Sequence, residues 1–409
     1  MQTPRTNKPN RAASSPRQVA LLLQSDMAFD RALARGVGDY IRSRKGWIVL
    51  MDPMMKPTTQ TLMHWNPDGI ISSIHLPAIN EIAGFKNTPI VGFGSYSEET
   101  DGHLKFPIVT SNQIEIGRMA AQHFISNGIR NFAFCGGDET ALWCRQRKQG
   151  FEDELGKYNY HCEHYEPSFS GPLNMPEAIS SLSKWLSSLP KPTGVFVFFD
   201  GWARWVLDAC VVSKLQVPQE ISVLGVDNDR WLCELSQPQL CSIDANARNA
   251  GYTAAKLLDA MMNQQATPPA INYIEPAKVV TRDSSSFMAF EDHEVAVAMR
   301  YIKEHACDPI TTADVLKVTG MSNSTAYRKF MKAIGRSIHN EIQKVQMNRV
   351  KELLTTTNLS ITEIATQAGF DNVRYMTQVF RDMTNQTPTG YRRTQSTPGT
   401  QPAIPSVAG

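Results

Sequence analysis

A short pattern decides the fold of the C-terminal part of this chain, and it occurs twice: TADVLKVTGMS at residues 312–322 and TEIATQAGFDN at residues 362–372. In each copy a short helix reaches a glycine suited to a positive φ, followed by an apolar residue and a Ser, Asp or Asn helix cap. A second helix then extends to Phe330 in the first copy and to Phe380 in the second. The repeat predicts two helix-turn-helix motifs.

Helical periodicity also fills the residues around the two motifs. We predict helices at residues 294–305, 312–318, 322–333, 337–355, 361–368 and 372–383, each bounded by Gly, Pro, Ser, Asn or Asp. Residues 291–393 should therefore form an all-α domain, in which the long helix 337–355 joins the two motifs.

We expect the second helix of each motif to pack its apolar side chains into the core of its own domain and to present its other side chains to DNA. The inward set is Ala326, Phe330, Met376, Val379 and Phe380. The outward set, which we predict to contact double-stranded DNA, is Asn323, Ser324, Tyr327, Arg328, Val373, Arg374, Thr377 and Gln378. Arginine suits guanine, and Asn or Gln suits adenine. The alternative for each of these residues is ordinary surface exposure.

Composition and charge limit the classes of protein that this chain can be. It has 409 residues, of which 42% are hydrophobic and 20% charged, which predicts two to four globular domains. The net charge is +4 over residues 1–17, −5 over residues 18–290 and +3 over residues 291–409, so phosphate should be attracted at the C-terminal end. Seven cysteines without a CxxC motif fit reduced thiols in a cytoplasm, and no apolar run is long enough to span or target a membrane.

The middle of the chain has a different periodicity. Short apolar runs at residues 19–23, 47–51, 69–72, 89–92, 131–135, 195–199 and 222–226 alternate with amphipathic stretches at residues 29–44, 113–127, 176–189, 202–214 and 245–263. This alternation predicts an α/β fold with parallel sheets, arranged as two lobes over residues 18–282. We expect residues 283–290 to be a linker that transmits geometry to the helical domain, and residues 1–17 and 394–409 to be flexible tails.

The second motif ends in a pattern that identifies a family. The matching residues are Gly369-Phe370, Met376, Phe380-Arg381, Thr387-Pro388 and Tyr391-Arg392. They resemble the pattern GF-x5-F-x3-F-R/K-x3-G-x-TP-x2-YR of the arabinose-operon activator (AraC/XylS) family. That resemblance implies that one subunit reads two successive major grooves. Departures from the family pattern are Met376 for Phe, Asn385 for Gly, Ala326 for Leu, and Gln346 where the linker helix often has Arg. The last removes one charge contact.

The α/β region resembles a second family. The runs Asp68–Ile71, Asn131–Gly137 and Val217–Asn228 are similar to the effector domain of lactose-repressor-type regulators, which has the periplasmic sugar-binding-protein fold. The combination of this sensor with a C-terminal double motif resembles the xylose-operon regulators, as do Asp26–Arg31 and Trp143 followed by Arg147.

Sugar chemistry assigns roles to several of these residues. Charged groups bridge adjacent hydroxyls, and aromatic rings cover the C–H faces of a pentose. We predict that Asp30, Arg31, Arg147, Asp200 and Asp227 bind hydroxyls and that Phe29 and Trp143 stack on the ring. The alternative reading is that Asp30 and Asp227 cap local structure and that Arg147 pairs locally.

Other chemistry has little support in the sequence. The run HCEH at residues 161–164 contains metal-ligand types, but side chains alternate between the faces of a strand and no HExxH or CxxC spacing follows, so we expect no metal site. Gly92-Phe93-Gly94 lacks the third glycine of a dinucleotide fingerprint, and no P-loop lysine motif is present. We expect no cofactor and no enzyme activity.

These observations predict a cytoplasmic, sugar-responsive transcription regulator, and D-xylose-dependent activation of pentose catabolic genes is the reading we adopt. Its expected partners are an operator in double-stranded DNA, D-xylose and a second copy of the chain, with RNA polymerase as a further candidate and no membrane. One alternative keeps the architecture with another effector, such as arabinose, ribose or a peptide-like molecule. The other is a sugar-binding protein without regulatory DNA binding.

Overall fold

The structure of the chain is a computed structural model that describes residues 16–24, 26–44, 46–51, 62, 64–76, 79–82, 88–95, 104–136, 141–165, 175–265, 270–286, 290, 292–357 and 359–396. It divides into two units, Met1–Thr110 with Ala247–Ile274 and Ser111–Asn246 with Glu275–Gly409. Within the described ranges, no helix combines the length and the apolar character that crossing a membrane requires.

The first unit is built around one sheet. Its strands are β1 (Arg17–Leu22), β2 (Trp47–Leu50), β3 (Gly69–Ser73), β4 (Ile90–Phe93), β5 (Ile108–Ser111) and β11 (Ile271–Ile274), and its helices are α1 (Ala28–Arg44), α2 (Ile79–Ile82) and α8 (Ala247–Met262). The strand order is β11-β5-β4-β3-β1-β2, and strands β2, β1, β3, β4 and β5 run parallel. Helices α1 and α8 pack together, and Leu33 and Val37 of α1 share a core with Leu258 of α8. Strands β3 and β4 are buried along their whole length, as a sheet covered on both faces requires.

The α/β part of the second unit has the same design. Its strands are β6 (Asn131–Cys135), β7 (Cys162–Tyr165), β8 (Thr193–Val197), β9 (Ile221–Val226), β10 (Cys241–Asp244) and β12 (Lys278–Val280), and its helices are α3 (Gln113–Ser126), α4 (Leu142–Gly156), α5 (Met175–Ser188), α6 (Asp200–Val212) and α7 (Arg230–Leu235). The order is β12-β10-β9-β8-β6-β7, in which only β12 runs antiparallel to its neighbour.

Helices α3 and α4 approach each other closely in this unit. A side chain at Gly117 of α3 would place its Cβ only 2.1 Å from the carbonyl oxygen of Arg147 in α4, so only glycine fits there. The aromatic rings of Phe124 in α3 and Phe151 in α4 meet edge to face with their centroids 6.4 Å apart. The two helices therefore form one tightly packed pair.

The rest of the second unit is helical. Its elements are α9 (His293–His305), α10 (Thr312–Thr319), α11 (Asn323–Ile334), α12 (Ile338–Thr356), α13 (Ile361–Gln367), α14 (Val373–Thr384) and α15 (Pro388–Ser396). Two separate cores hold these helices, one around Phe330 and one around Phe380. The long helix α12 supplies Ile342 to the first core and Val350 to the second, so it joins the two motifs as the sequence predicts.

The sequence predicted the fold class correctly, with two parallel α/β sheets followed by a double helix-turn-helix. Strands β5, β10, β11 and β12 and helices α2, α4, α7 and α15 were not predicted, whereas the strand expected at residues 161–164 is β7. Both predicted tails were drawn too long, because Arg17 belongs to β1 and residues 394–396 belong to α15. Residues 1–15 and 397–409 lie outside the described ranges.

The linker prediction for residues 283–290 is wrong at its N-terminal end. Ser284 is fully buried, its hydroxyl donates to the carbonyl of Val223 in β9 at 2.7 Å, and it accepts from the amide of Cys241 in β10 at 2.8 Å. The amide of Val223 donates in turn to the Ser284 carbonyl at 2.8 Å. Asp283 to Ser285 are therefore fastened to the α/β part of the second unit. Residues 287–289 lie outside the described ranges.

Candidate nucleic-acid interface and effector site

The first motif has the local geometry that its sequence predicts. Gly320 has a φ of +68° where α10 ends, and the Ser322 side chain accepts a hydrogen bond from the amide of Thr325 at 3.3 Å at the start of α11. Ala326 and Phe330 are buried. The four predicted DNA contacts of this helix, Asn323, Ser324, Tyr327 and Arg328, are all exposed. They form one polar face near the N-terminal end of α11.

The second motif repeats this arrangement with two differences. Asn372 caps α14 by accepting hydrogen bonds from the amides of Arg374 at 2.9 Å and Tyr375 at 3.2 Å. Arg374 and Gln378 are exposed, and Thr377 is half-buried. Val373 was expected to face outward, but it packs partly against the second core. Tyr375, which the sequence reading passed over, is 47% exposed and its hydroxyl accepts from Gln343 of α12 at 2.5 Å.

Gln346 of α12 has a structural role that corrects our reading of it as a lost charge contact. Its side chain is buried and its amide nitrogen donates to the carbonyl of Ala306, at the end of α9, at 2.9 Å. The same nitrogen donates to the carbonyl of Gly369 in the second motif at 3.1 Å. Gln346 thereby ties the two halves of the helical domain together.

Three predicted effector residues lie in the first unit, at the start of α1. Asp30 is buried, and its carboxylate accepts from the amide of Gln24 at 2.7 Å, which closes the turn between β1 and α1. The guanidinium of Arg31 donates to the carbonyl of Asp26 at 2.9 Å. Phe29 packs partly against the core of the unit. These contacts show local roles and leave the predicted effector contacts as predictions.

Three more predicted residues come together in the second unit. The guanidinium carbon of Arg147 in α4 lies 4.9 Å from the centre of the Trp143 ring, which is cation–π distance. Its Nη2 lies 3.7 Å from a carboxylate oxygen of Asp227, which is an ion-pair distance but too long for a hydrogen bond. Asp227 follows β9 with a φ of +97°, a conformation that is uncommon for Asp and often marks functional positions.

Two residues that the sequence did not indicate hold Arg147 in place. Its Nε donates to the side-chain oxygen of Gln113, the first residue of α3, at 2.8 Å. Its Nη1 donates to the carbonyl of Phe198, whose ring stacks on Trp143 with the centroids 5.5 Å apart. No sequence signal identifies these partners, since their proximity depends on how separate elements pack.

Burial dominates the electrostatics of this group. It lowers the pKa of Arg147 and raises the pKa of Asp227, although each charge partly offsets the shift of the other. A polar ligand that hydrogen-bonds to these groups would replace part of the lost hydration. The hydroxyl groups of a neutral ligand have the donors and acceptors that this would require.

Asp200 has a different place from the one predicted. It is almost completely buried, and one carboxylate oxygen accepts from the hydroxyl of Ser242 at 2.7 Å while the other accepts from the amide of Asp229 at 2.8 Å. Burial raises the pKa of Asp200 well above its usual value, with the nearby charge of Asp227 adding to the shift. These contacts make Asp200 a support for the loop after β9, and we no longer count it among the hydroxyl partners.

Comparison with known proteins matches each part of the chain. Family models match the XylR N-terminal domain at residues 18–113, the periplasmic binding protein-like domain at residues 121–285 and a helix-turn-helix domain at residues 315–394. The xylose operon regulatory protein of Haemophilus influenzae is 31% identical over 92% of this chain and 98% of its own length. The chain belongs to the xylose operon regulatory protein family.

Other members of this family agree in length and fold. The Escherichia coli K12 xylose operon regulatory protein is 29% identical over 93% of this chain and 97% of its own length. The solved structure of the xylose-binding transcription activator xylR has a TM-score of 0.60 and 28% identity, covering 93% of this chain and 98% of that one. As a member of the family, this chain is a DNA-binding transcription regulator with a periplasmic-binding-protein-like sensor, which confirms the resemblance found in the sequence.

In this family member, the helical domain contacts the α/β part of the second unit through α3. Asn127, the C-cap of α3, accepts from the ammonium of Lys303 in α9 and donates to the carbonyl of Ser285 at 2.9 Å. His123 is hydrogen-bonded to the hydroxyl of Ser285 at 2.8 Å. Burial lowers the pKa of His123 to about 3, so its ring is neutral at physiological pH.

Further contacts of the same kind lie on either side of α3. Arg130 donates to the carbonyls of Lys332 and Ala333 at 3.3 Å each, near the C-terminal end of α11, where the helix dipole favours a cation. Lys278 of β12 pairs with Glu352 of α12. We call the contacts of Asn127, Arg130 and Lys278 with the helical domain the domain junction.

Proposed function

We propose that this protein is a D-xylose-responsive regulator that binds an operator in double-stranded DNA and activates genes of pentose catabolism. The similar proteins named above support the choice of xylose, since they are named as xylose operon regulators and as a xylose-binding activator. The exposed residues of α11 and α14 support the DNA contact. We further propose that it works in the cytoplasm as a homodimer, with RNA polymerase as a partner.

The observation that carries the effector proposal is the arrangement of Arg147, Trp143 and Asp227. A buried cation and a carboxylate at 3.7 Å offer a donor and an acceptor to adjacent sugar hydroxyls. The indole beside them offers an apolar face for ring C–H groups. Phe29, Asp30 and Arg31 stay predictions from the sequence.

We propose that α3 couples the effector to the DNA-binding domain. Gln113 at its N-terminal end holds Arg147, and His123 and Asn127 at its C-terminal end hold Ser285 and Lys303. A helix of 14 residues is about 20 Å long and moves as a stiff element. A ligand that pulls on Arg147 would therefore shift the domain junction without any contribution from the linker.

Two measurements on the full chain test the function. Calorimetric titration of D-xylose should show saturable binding, with D-ribose and L-arabinose binding more weakly. Selection from a random DNA library should recover a site with two successive contacts about one helical turn apart, and D-xylose should strengthen retention of that site. Tighter binding of another sugar would support the alternative effector, and absence of specific DNA retention would support a binding protein without regulation.

A variant pair tests the coupling separately. Asn127→Ala removes the contacts to Ser285 and Lys303, and we expect it to keep both sugar binding and basal DNA binding while losing the effect of sugar on DNA affinity. Asn131→Ala is the matched control, because Asn131 donates to the carbonyl of Pro192 within the α/β part, at 3.0 Å. If D-xylose changes the DNA affinity of Asn127→Ala as much as that of the wild type, α3 does not couple the effector to the DNA-binding domain.

A further inference from the structure

A group of three possible metal ligands lies in the second unit, on the α/β part. The side chains are Glu152 of α4 and Cys162 and His164 of β7, and their ligand atoms all lie within 4.8 Å of one another. His164 Nε2 is 2.9 Å from a carboxylate oxygen of Glu152. Neither this helix nor this strand belongs to the DNA interface, and none of the three side chains contacts Arg147 in the described structure.

The strand geometry corrects the argument that excluded a metal site. Neighbouring residues of β7 do alternate between faces, but Cys162 and His164 are two residues apart and therefore share a face. Their partners in the adjacent strand β6 are Phe132 and Phe134, both buried, so the register that sets the two ligands is fixed by the core. Glu152 reaches them from the helix, which no spacing motif in the sequence would show.

We propose that Glu152, Cys162 and His164 bind a divalent transition metal of borderline softness, with Zn²⁺ as the reference ion. A thiolate, an imidazole and a carboxylate are the three ligand types that zinc takes, and water would supply the fourth position. On binding, the Cys162 thiol loses its proton to solvent. The hydrogen between His164 Nε2 and Glu152 also leaves, either to Nδ1 of the same ring or to solvent, so that two metal–ligand bonds replace this contact. The ion reaches the site from solvent, since the His164 and Glu152 side chains are 33% and 39% exposed.

A simpler role for the group would be protection of the sheet edge, because β7 is the last strand in its sheet. The contact between His164 and Glu152 is sufficient for that role and does not require the half-buried thiol of Cys162. Substitution of Cys162 therefore separates the two roles, because it leaves that contact in place.

The test uses the tag-free, full-length protein, reduced and dialysed against a chelator and then titrated with Co²⁺. We expect one equivalent to bind, with a thiolate-to-cobalt charge-transfer band that Zn²⁺ abolishes by displacement. Cys162→Ser should remove the band, and His164→Gln should weaken binding at least tenfold. His161→Gln, on a neighbouring exposed residue outside the group, should leave binding unchanged.

Three outcomes would overturn the proposal. The first is the absence of a thiolate band in the wild type, and the second is a band that survives in Cys162→Ser. The third is equal loss of binding in His161→Gln and His164→Gln, which would indicate nonspecific binding to surface histidines. Circular dichroism of each variant shows whether it is folded. If Cys162→Ser fails to fold, Glu152→Gln provides the same test from the helix side, with at least a tenfold loss expected.

Discussion

Replacing Arg147 with lysine should separate an effector-binding residue from a residue of purely local importance. The guanidinium meets three partners from one planar group: Gln113 through Nε at 2.8 Å, the Phe198 carbonyl through Nη1, and Asp227 through Nη2 at 3.7 Å. A lysine keeps the charge but carries one compact ammonium on a flexible stem, so it can keep only some of these contacts.

The size of the effect follows from those contacts. A hydrogen bond that involves a charged group contributes about 1.5–3 kcal/mol. In the lysine variant the cation that we propose to contact the sugar is no longer held in its orientation. D-xylose binding should therefore weaken about 10- to 100-fold, since each tenfold change corresponds to about 1.4 kcal/mol. Isothermal titration of D-xylose into the full-length variant measures this loss directly.

The matched control is Arg145→Lys, which makes the same chemical change at an exposed position of the same helix and should leave the affinity unchanged. A wild-type dissociation constant for a folded Arg147→Lys protein would remove Arg147 from the effector site. If that variant does not fold, Gln113→Leu gives a second test, because it leaves the guanidinium in place and removes only the acceptor of Nε. We expect about a tenfold weaker affinity for it.

Three further predictions concern the helical domain. Arg374→Ala should weaken operator binding and relax base preference by about 1–3 kcal/mol in a binding-site selection, with sugar affinity unchanged; unaltered selectivity would exclude Arg374 from base reading. Gln346→Leu removes a donor from the buried carbonyl of Ala306 and from the partly buried carbonyl of Gly369, and it should lower the stability of the domain by about 1–3 kcal/mol in chemical denaturation; an unchanged midpoint would contradict its bridging role. The ammonium of Lys303 is enclosed although the residue as a whole is exposed, and this desolvation lowers its pKa to about 8. The unfolded chain therefore holds more protons than the folded one between about pH 8 and pH 10.5, and this lysine destabilises the fold most below pH 8. Lys303→Met should therefore gain stability relative to the wild type at pH 7, and this gain should shrink at pH 9.5. Buried cysteines such as Cys135, whose pKa is raised by burial, destabilise both proteins equally as the pH rises, so the difference in melting temperature between them is the quantity to measure.

The sequence predicted those elements whose apolar pattern is complete. Strands such as β8 and β9 are buried at every position and appear as continuous apolar runs. Strand β10, with the sequence CSID, carries polar residues and is only four residues long, so the sequence showed no strand pattern there. Helix α4 was missed because its first half, LWCRQRKQ, is rich in charged and polar residues.

The candidate site was predictable only in part, for the same physical reason. Trp143, Arg147 and Asp227 were identified in stretches that carry the family resemblance. Gln113 and Phe198 were not found, because their roles arise from the packing of α3 and of the loop after β8 against α4. Asp200 looked like a hydroxyl partner in the sequence, whereas its buried contacts with Ser242 and Asp229 make it part of the support.

The structure also changes where the coupling between sugar and DNA has to be sought. An effector shifts the DNA-binding equilibrium only by the difference in its affinity for two arrangements of the protein, so something it contacts must differ between them. A linker that begins with the buried Ser284 cannot act as a free hinge at that end.

Helix α3 meets the requirement better, because its close contact with α4 at Gly117 makes Arg147 and the domain junction parts of one stiff assembly. The junction itself consists largely of charged and polar contacts, such as Lys303 with Asn127, which exchange with water at small net cost in free energy. A modest movement at Arg147 would be carried along α3 to the domain junction. Because the polar contacts there can rearrange, the helical domain would take a different placement.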